Sequence, residues 1–392
     1  MKILYVGAFR MPNLDAAAPR VLNIARSLHE AGHKVSFISW GGEQRDQDRG
    51  VDGIYRVDGF PYIITNELPQ PGESSIGRIR SKILRGKKTK KLLFEWPEQI
   101  DAIITYNNCL SSWLIPFCGK RGIKLINDLT EWYSYSELKP SDWPGYVYDM
   151  FCRQKRVKNK IVISSYLDRF YSMTHNIVVP ATCDASESKW HQNLDYARAI
   201  VKPFNGVTLI YAGTPARKDQ IHHVVNAVQS LAEEGMAIRF LMVGTTRDSY
   251  MSRYASVLRN KNLHENIIFL GRVSQDVIPS FYYQADFMVL LREQTRKSNA
   301  GFPTKFTESF ISGTPVIANL TSDLGLYLKD GETGFVVEEP NENAIYRILK
   351  EKVLLLSRSE IKNMKQNVKV VAKQFDYHTF VKPLRDFMNN LK

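Results

Sequence analysis

Short apolar runs alternate with longer amphipathic stretches along most of this chain. Residues 2–8, 34–40, 102–106, 124–127, 160–164 and 177–180 are runs of the kind that form buried strands. Between the first two, residues 19–31 predict a helix. Pro19 sits in its first turn, Val21, Ile24, Ala25 and Leu28 form its apolar face, and Gly32 stops it. Another helix is expected around 110–119. The pattern lapses into a polar stretch at 182–206. It then restarts at 207–211, 238–243, 267–270, 287–291 and 315–318, with helices between. Apolar strands that alternate with helices predict an α/β fold of two doubly wound, Rossmann-like domains. The expected division is 1–195, 196–375 and a terminal helix at 376–392, where Phe380, Leu384, Phe387 and Leu391 recur at helical spacing. In such folds ligands bind outside the carboxyl ends of the strands, so two facing sheets would frame a cleft.

The bulk numbers narrow the class. A length of 392 residues suits two domains, and 44% hydrophobic content allows each a full core. No apolar run reaches the roughly 20 residues that cross a bilayer. The first residues read as a strand and not as a signal peptide. The four cysteines, Cys109, Cys118, Cys152 and Cys183, form neither a Cys-x-x-Cys pair nor a disulfide framework, which fits a reducing, cytoplasmic setting. Each is expected to be a small buried apolar residue. The net charge of +13 is partly concentrated in 78–91, where eight basic residues interleave with Ile79, Ile83 and Leu84. That segment suits an anionic membrane surface, a nucleic acid, or plain solvation.

Candidate chemistry gathers where strands end. The run 287–291 leads through a loop with Gly301 and Pro303 into a helix that carries Lys305 and Glu308 and stops at Gly313. A helix N-terminus presents unpaired N–H groups and the positive end of its dipole, which favours an anion. Phe302 and Thr304 would frame that anion through their backbone N–H groups, with the Thr304 hydroxyl adding a donor. Lys305 is a cation in the first turn, unfavourable there unless an anion joins it. Glu308, about one turn on, could accept two hydrogen bonds from a vicinal diol such as a ribose. Anion plus diol points to a nucleoside diphosphate. The run 207–211 ends at Gly213, and Arg217 and Lys218 follow with two cations; Arg272 follows the run 267–270. Taken alone, these residues also suit an ordinary βαβ turn with solvated cations. In the first half, Asp128, Glu131, Trp132 and Tyr133 follow a buried run; a helix-capping Asp is the plainer use of Asp128. Asp46 and Asp48 lie in a hydrophilic loop with no strand directly before it, and the eight histidines show no ligand spacing, so no metal is expected.

The segment around Glu308, with Gly313, Pro315, Val316 and Ile317 after it, resembles the signature of family 4 glycosyltransferases, which are retaining enzymes of GT-B architecture. The resemblance covers most of the chain and is strongest from 207 to 337. It implies that Arg217 and Lys218 clamp the donor diphosphate, that Gly213 and Arg272 approach the nucleotide, and that Glu308 holds the ribose. The family's first signature Glu, which touches the donor sugar, is Ala300 here, with Asn299 or Arg292 as replacements. A His common in the family at about Asp128 is missing, so Asp128 or Glu131 takes its place near the reacting centre, and Trp132 or Tyr133 would stack on a sugar. The long first loop, 7–19, would approach donor phosphate and acceptor. The final helix would pack back on the first domain. The implied function is transfer of a sugar from a nucleotide-sugar donor to a glycan or lipid-linked acceptor in bacterial surface polysaccharide or glycoconjugate biosynthesis. No metal and no nucleic acid are implied, and 78–91 becomes a peripheral contact with the inner face of the membrane. A UDP-sugar epimerase and a non-catalytic nucleotide-sugar-binding subunit are the alternatives.

Overall fold

The computed structural model describes residues 1–69, 72–74, 77, 85–107, 113–133, 138, 143–216 and 218–392. The chain divides into two compact units, 1–183 with 377–392, and 184–376. The sequence placed the first division at 195/196. Residues 184–195 go with the second unit because Trp190 is buried and the following helix, Tyr196–Ile200, sets Tyr196 edge-on to Phe281 at 6.1 Å.

The first unit has strands β1 (Lys2–Met11), β2 (Lys34–Gly42), β3 (Arg56–Val57), β4 (Phe60–Ile64), β5 (Ala102–Tyr106), β6 (Lys124–Leu129), β7 (Asn159–Val162) and β8 (His175–Val178). They form one sheet in the order β3-β4-β2-β1-β5-β6-β7-β8, parallel except for the β3–β4 pair. Alternate residues of β1 feed opposite cores. Ile3 and Tyr5 join Val21, Ile24 and Leu28 of the helix Ala17–Glu30, while Leu4 and Val6 join Leu93, Leu114 and Phe117. That two-sided burial explains why the strands read as continuous apolar runs. Leu384, Phe387 and Met388 of the last helix, Val381–Asn389, complete the first of these cores.

Two elements differ from the sequence reading. β1 runs on to Met11, which shortens the expected first loop to 12–16. Gly42 makes this possible: at φ +123° it lies so close to β1 that a Cβ would stand 2.0 Å from the Met11 carbonyl oxygen. β2 likewise runs to Gly42, so a strand does precede Asp46–Asp48, which forms a 3₁₀ turn; Asp48 accepts the Tyr62 hydroxyl at 3.0 Å. Asp15 caps the helix Ala17–Glu30 by accepting the N–H groups of Ala17 and Ala18.

The second unit has β9 (Val207–Ala212), β10 (Ile238–Val243), β11 (Ile267–Gly271), β12 (Phe287–Leu290), β13 (Val316–Ala318) and β14 (Gly334–Val336). All pair in parallel, in the order β11-β10-β9-β12-β13-β14. The order reverses between β9 and β12, so the carboxyl ends of those two strands open a crevice at the topological switch point. Cys118 and Cys183 are buried; Cys152 is exposed, against expectation, and Cys109 lies outside the described residues. Among the described residues no helix is long and apolar enough to cross a membrane.

Candidate functional site

The switch point of the second unit collects most of the expected donor-site residues. β9 ends at Gly213 (φ +127°) and β10 at Gly244 (φ +101°). A Cβ on Gly244 would stand 2.8 Å from the Gly213 carbonyl carbon, and one on Gly213 would stand 2.6 Å from Cε of Lys305. The two strand ends therefore meet backbone to backbone, and the Lys305 side chain lies across Gly213. Any side chain there would have to displace the ammonium-bearing arm.

Lys305 is the second residue of the helix Thr304–Ile311, which starts after Pro303 with no side-chain cap. Its ammonium stands 5.3 Å from the Tyr211 ring centre, and no carboxylate lies within ion-pair distance among the described residues. Desolvation pushes its pKa down; Asp219 pulls against that shift and Arg292 adds to it. Glu308, one turn further, is half-buried and burial pushes its carboxyl up, with Lys305 opposing. Thr304 is exposed at the helix start. Phe302 is buried against Phe306, Tyr327 and Phe375 and anchors the loop by its ring. Gly301 is in ordinary extended backbone and its N–H donates to Lys297 O, so the loop does not depend on glycine there.

Beneath the cations lies an element that sequence reasoning missed. Asp219 is buried, accepts the Tyr211 hydroxyl at 2.8 Å and pairs with Nε of Arg292 at 3.1 Å. An isolated antiparallel bridge also joins Asp219 and Arg292, so the loop after β9 is clipped to the end of β12. Burial opposes the charge on Asp219, but Arg292, Lys305, the Tyr211 hydroxyl and Lys218 together hold its carboxyl below the usual range. The signal in the sequence was an acidic residue closing a cationic loop. Lys218, beside it, keeps part of its side chain exposed, yet desolvation and then Arg292 push it down to about 8, against the pull of Asp219, with Lys305 and Lys297 adding to the fall. Arg217 lies outside the described residues.

Arg292 and Asn299 were the expected replacements for a sugar-binding Glu at position 300. Arg292 is buried and committed to Asp219. Asn299 accepts from Ser322 N at 3.1 Å and donates to Gln294 and Thr295, which fastens the neighbouring loop. Ala300 is buried at the end of a short helix, Arg296–Ala300, that the sequence did not predict. Thr295 and Ser298 cap that helix reciprocally. Arg272 is exposed just after Gly271, which ends β11 beside Gly244, on the same sheet edge.

In the first unit, Asp128 stands on β6 with no exposed surface. Its carboxylate accepts hydrogen bonds from two nitrogens of the Arg20 guanidinium, the closest at 2.7 Å, and from the Tyr5 hydroxyl at 2.5 Å. Arg20 also donates to Val179 O and Pro180 O. Asp128 is thus the counter-ion of a buried arginine, with both oxygens occupied, and is closed to a sugar. The signal was available: Arg20 lies four residues before Ile24 and eight before Leu28, on the apolar stripe of its helix. Trp132 is also core, its ring tilted against Phe170 at 3.9 Å between centres and packed on Phe151 and Tyr166. Glu131 and Tyr133 are half-buried at the carboxyl edge and the Tyr133 hydroxyl donates to Glu131, so of the two candidate carboxylates Glu131, not Asp128, has surface exposed. Among the described residues no three His, Cys, Asp or Glu side chains gather as a metal site would require.

The architecture is the GT-B fold, two Rossmann-like α/β units. Residues 206–352, within the second unit, match the family model described as Glycosyl transferases group 1. Sucrose-phosphate synthase from Thermosynechococcus elongatus superposes with a TM-score of 0.71 at 17% identity, covering 100% of this chain and 98% of that one. HepE from Anabaena, solved in complex with UDP, gives 0.68 at 16% identity with both chains fully covered. WaaG, a glycosyltransferase involved in lipopolysaccharide biosynthesis, gives 0.66 at 13% identity over 99% of this chain and 100% of its own. No curated protein sequence matches the chain significantly.

Proposed function

We propose that the protein is a retaining, family 4-type glycosyltransferase that moves a hexose from a nucleoside diphosphate sugar to a glycan or lipid-linked acceptor. The observation that carries this reading is Lys305, a desolvated ammonium without a carboxylate partner among the described residues, held over Gly213 at an uncapped helix start. A diphosphate laid there would meet Lys305, Lys218 and the first N–H groups of the helix. Glu308, which has no side-chain hydrogen bond among the described residues, would take the ribose hydroxyls. Structures of HepE with UDP support a uridine nucleotide as the first donor to try. As the glycosyl–phosphate bond breaks, charge builds on the leaving diphosphate. Fixed cations and N–H dipoles stabilise that charge more than the ground state, so they lower the barrier. In this reading Lys218 and Lys305 neutralise the diphosphate without a metal ion. Retention would follow from attack on the same face as the departing phosphate, with Glu131 as the acidic side chain beside the acceptor. The setting would be cytoplasmic polysaccharide or glycoconjugate synthesis.

The expected test result is that UDP raises the thermal midpoint of the wild type by mass action. The variant Glu308→Ala should require about ten to a hundred times more UDP for the same rise, as for loss of one or two hydrogen bonds to a charged group. An equal response from both proteins would remove Glu308 from the site.

Peripheral contact with an anionic membrane is part of the proposal. Residues 78–84 lie outside the described residues, but the rest of the basic segment forms the helix Lys87–Phe94. Lys90 lies over the rings of Phe94 and Trp113, and Arg121 over Phe94 and Phe117. Phe94 is exposed. Cations ringing an exposed aromatic suit the interface of an anionic bilayer, at about 1 kcal/mol per basic residue near the surface. Co-sedimentation with vesicles containing phosphatidylglycerol should fall sharply in Lys87→Glu/Lys91→Glu and at high salt. Sedimentation that survives both would exclude an electrostatic membrane contact.

A further inference from the structure

A cavity of about 680 Å³ opens in the second unit at the amino edge of its sheet. Thr208 is the second residue of β9, Arg239 the second of β10, and Asp286 immediately precedes β12; all three line it. The donor residues stand beyond the other end of the same strands. A six-residue strand spans roughly 20 Å, so one small ligand cannot occupy both places.

The charges in the cavity do not balance. Asp286 is its one lining carboxylate among the described residues, and both oxygens are used: Arg358 donates to one at 2.8 Å and Thr208 N to the other at 2.8 Å. Arg198, at the rim, pairs with Asp195. Arg239 has no such partner. Its half-buried guanidinium donates Nε to the Thr208 hydroxyl at 3.0 Å and another nitrogen to Lys202 O at 2.6 Å, with the Phe204 ring 4.8 Å away. No carboxylate lies within ion-pair distance of it among the described residues, and burial opposes its charge with only Asp286 acting the other way. Lys202, an exposed lining residue, also has no carboxylate partner for its ammonium among the described residues.

A half-buried guanidinium fixed by two hydrogen bonds, with the exposed Lys202 ammonium among the same lining residues, can receive a dianion. A phosphate monoester carries about −1.5 to −2 charge at pH 7 and presents three acceptor oxygens, which suits a guanidinium fork and an ammonium together. Phe204 offers a face to the organic part, and the volume lies within the range of small-molecule sites, about 300–1,000 Å³. We propose that this cavity is a second ligand site, separate from the donor site, that binds a small organic phosphate monoester through Arg239 and Lys202.

Calorimetric titration with glucose 6-phosphate and with inorganic phosphate tests this on the full chain. Glucose 6-phosphate is expected to bind once, more tightly than inorganic phosphate, and to bind equally well when UDP is present in excess. Arg239→Ala and Lys202→Ala should each weaken it about tenfold or more. Lys202 is exposed, so its variant keeps the test valid if Arg239→Ala fails to fold. Competition by UDP, an unchanged affinity in Lys202→Ala, or no binding of either probe would overturn the site. Failure of UDP to bind anywhere would count against the glycosyltransferase reading and leave this titration unaffected.

Discussion

Replacing Lys305 with alanine is expected to lower kcat/KM for sugar transfer by about 10²–10³-fold, the usual loss when one fixed donor to a developing anion is removed. The fall should appear mainly in kcat, since the charge to be stabilised is greatest as the diphosphate departs. Stability should not fall with it. Lys305 is desolvated, has no carboxylate partner among the described residues and sits at the positive end of a helix, so the folded chain tolerates it at some cost. Urea denaturation of Lys305→Ala should therefore give a midpoint equal to or above the wild type. A lower midpoint with unchanged kcat/KM would make Lys305 a structural residue. The pH profile adds an independent readout. Lys218 is pushed down to about 8, so its cation is present below that pH and is lost as pH rises through it. The donor KM should rise from about pH 8 upward, and Lys218→Arg, whose charge persists, should remove the rise.

The second large effect is expected far from any ligand. Arg20→Ala should destabilise the first unit by about 3–5 kcal/mol, because it leaves the Asp128 carboxylate buried without its cation. Asp128→Ala should cost a similar amount for the mirror reason. The double replacement Arg20→Met/Asp128→Leu should recover much of the loss, since it removes both charges and keeps the volume. Denaturant titration of the four proteins supplies the cycle. UDP binding by the second unit should be the same in all that fold. If Asp128→Asn instead removed transfer activity without loss of stability, Asp128 would regain the sugar-facing role that the sequence offered it.

These two residues mark how far the sequence could be read. The strands were legible because burial on both faces writes them as plain apolar runs; Ile238–Val243 has the same bounds in the sequence and in the structure. The switch point was legible through Gly213, Pro303 and Gly313, since glycine and proline punctuate locally. Partners were not. That Asp128 would meet Arg20, 108 positions away, depends on which strand lies beside which helix. The extension of β1 to Met11 depends on Gly42 in the next strand, and the commitment of Arg292 depends on Asp219, 73 positions earlier. An acidic residue after an apolar run looks the same whether it faces a sugar or a guanidinium.

The last helix has a consequence of another kind. Tyr377 N donates to Cys183 O, so the chain re-enters the first unit beside the point where it left, and Leu384, Phe387 and Met388 then fill a core begun by Ile3 and Tyr5. During synthesis the ribosome must deliver all of 184–376 before that core can close. The second unit is continuous in sequence and can mature as it emerges. The first, although made earlier, must wait with an apolar gap along the helix Ala17–Glu30 until the helix Val381–Asn389 has emerged. The N-terminal half, first to be made, is therefore the last of the two units to be finished.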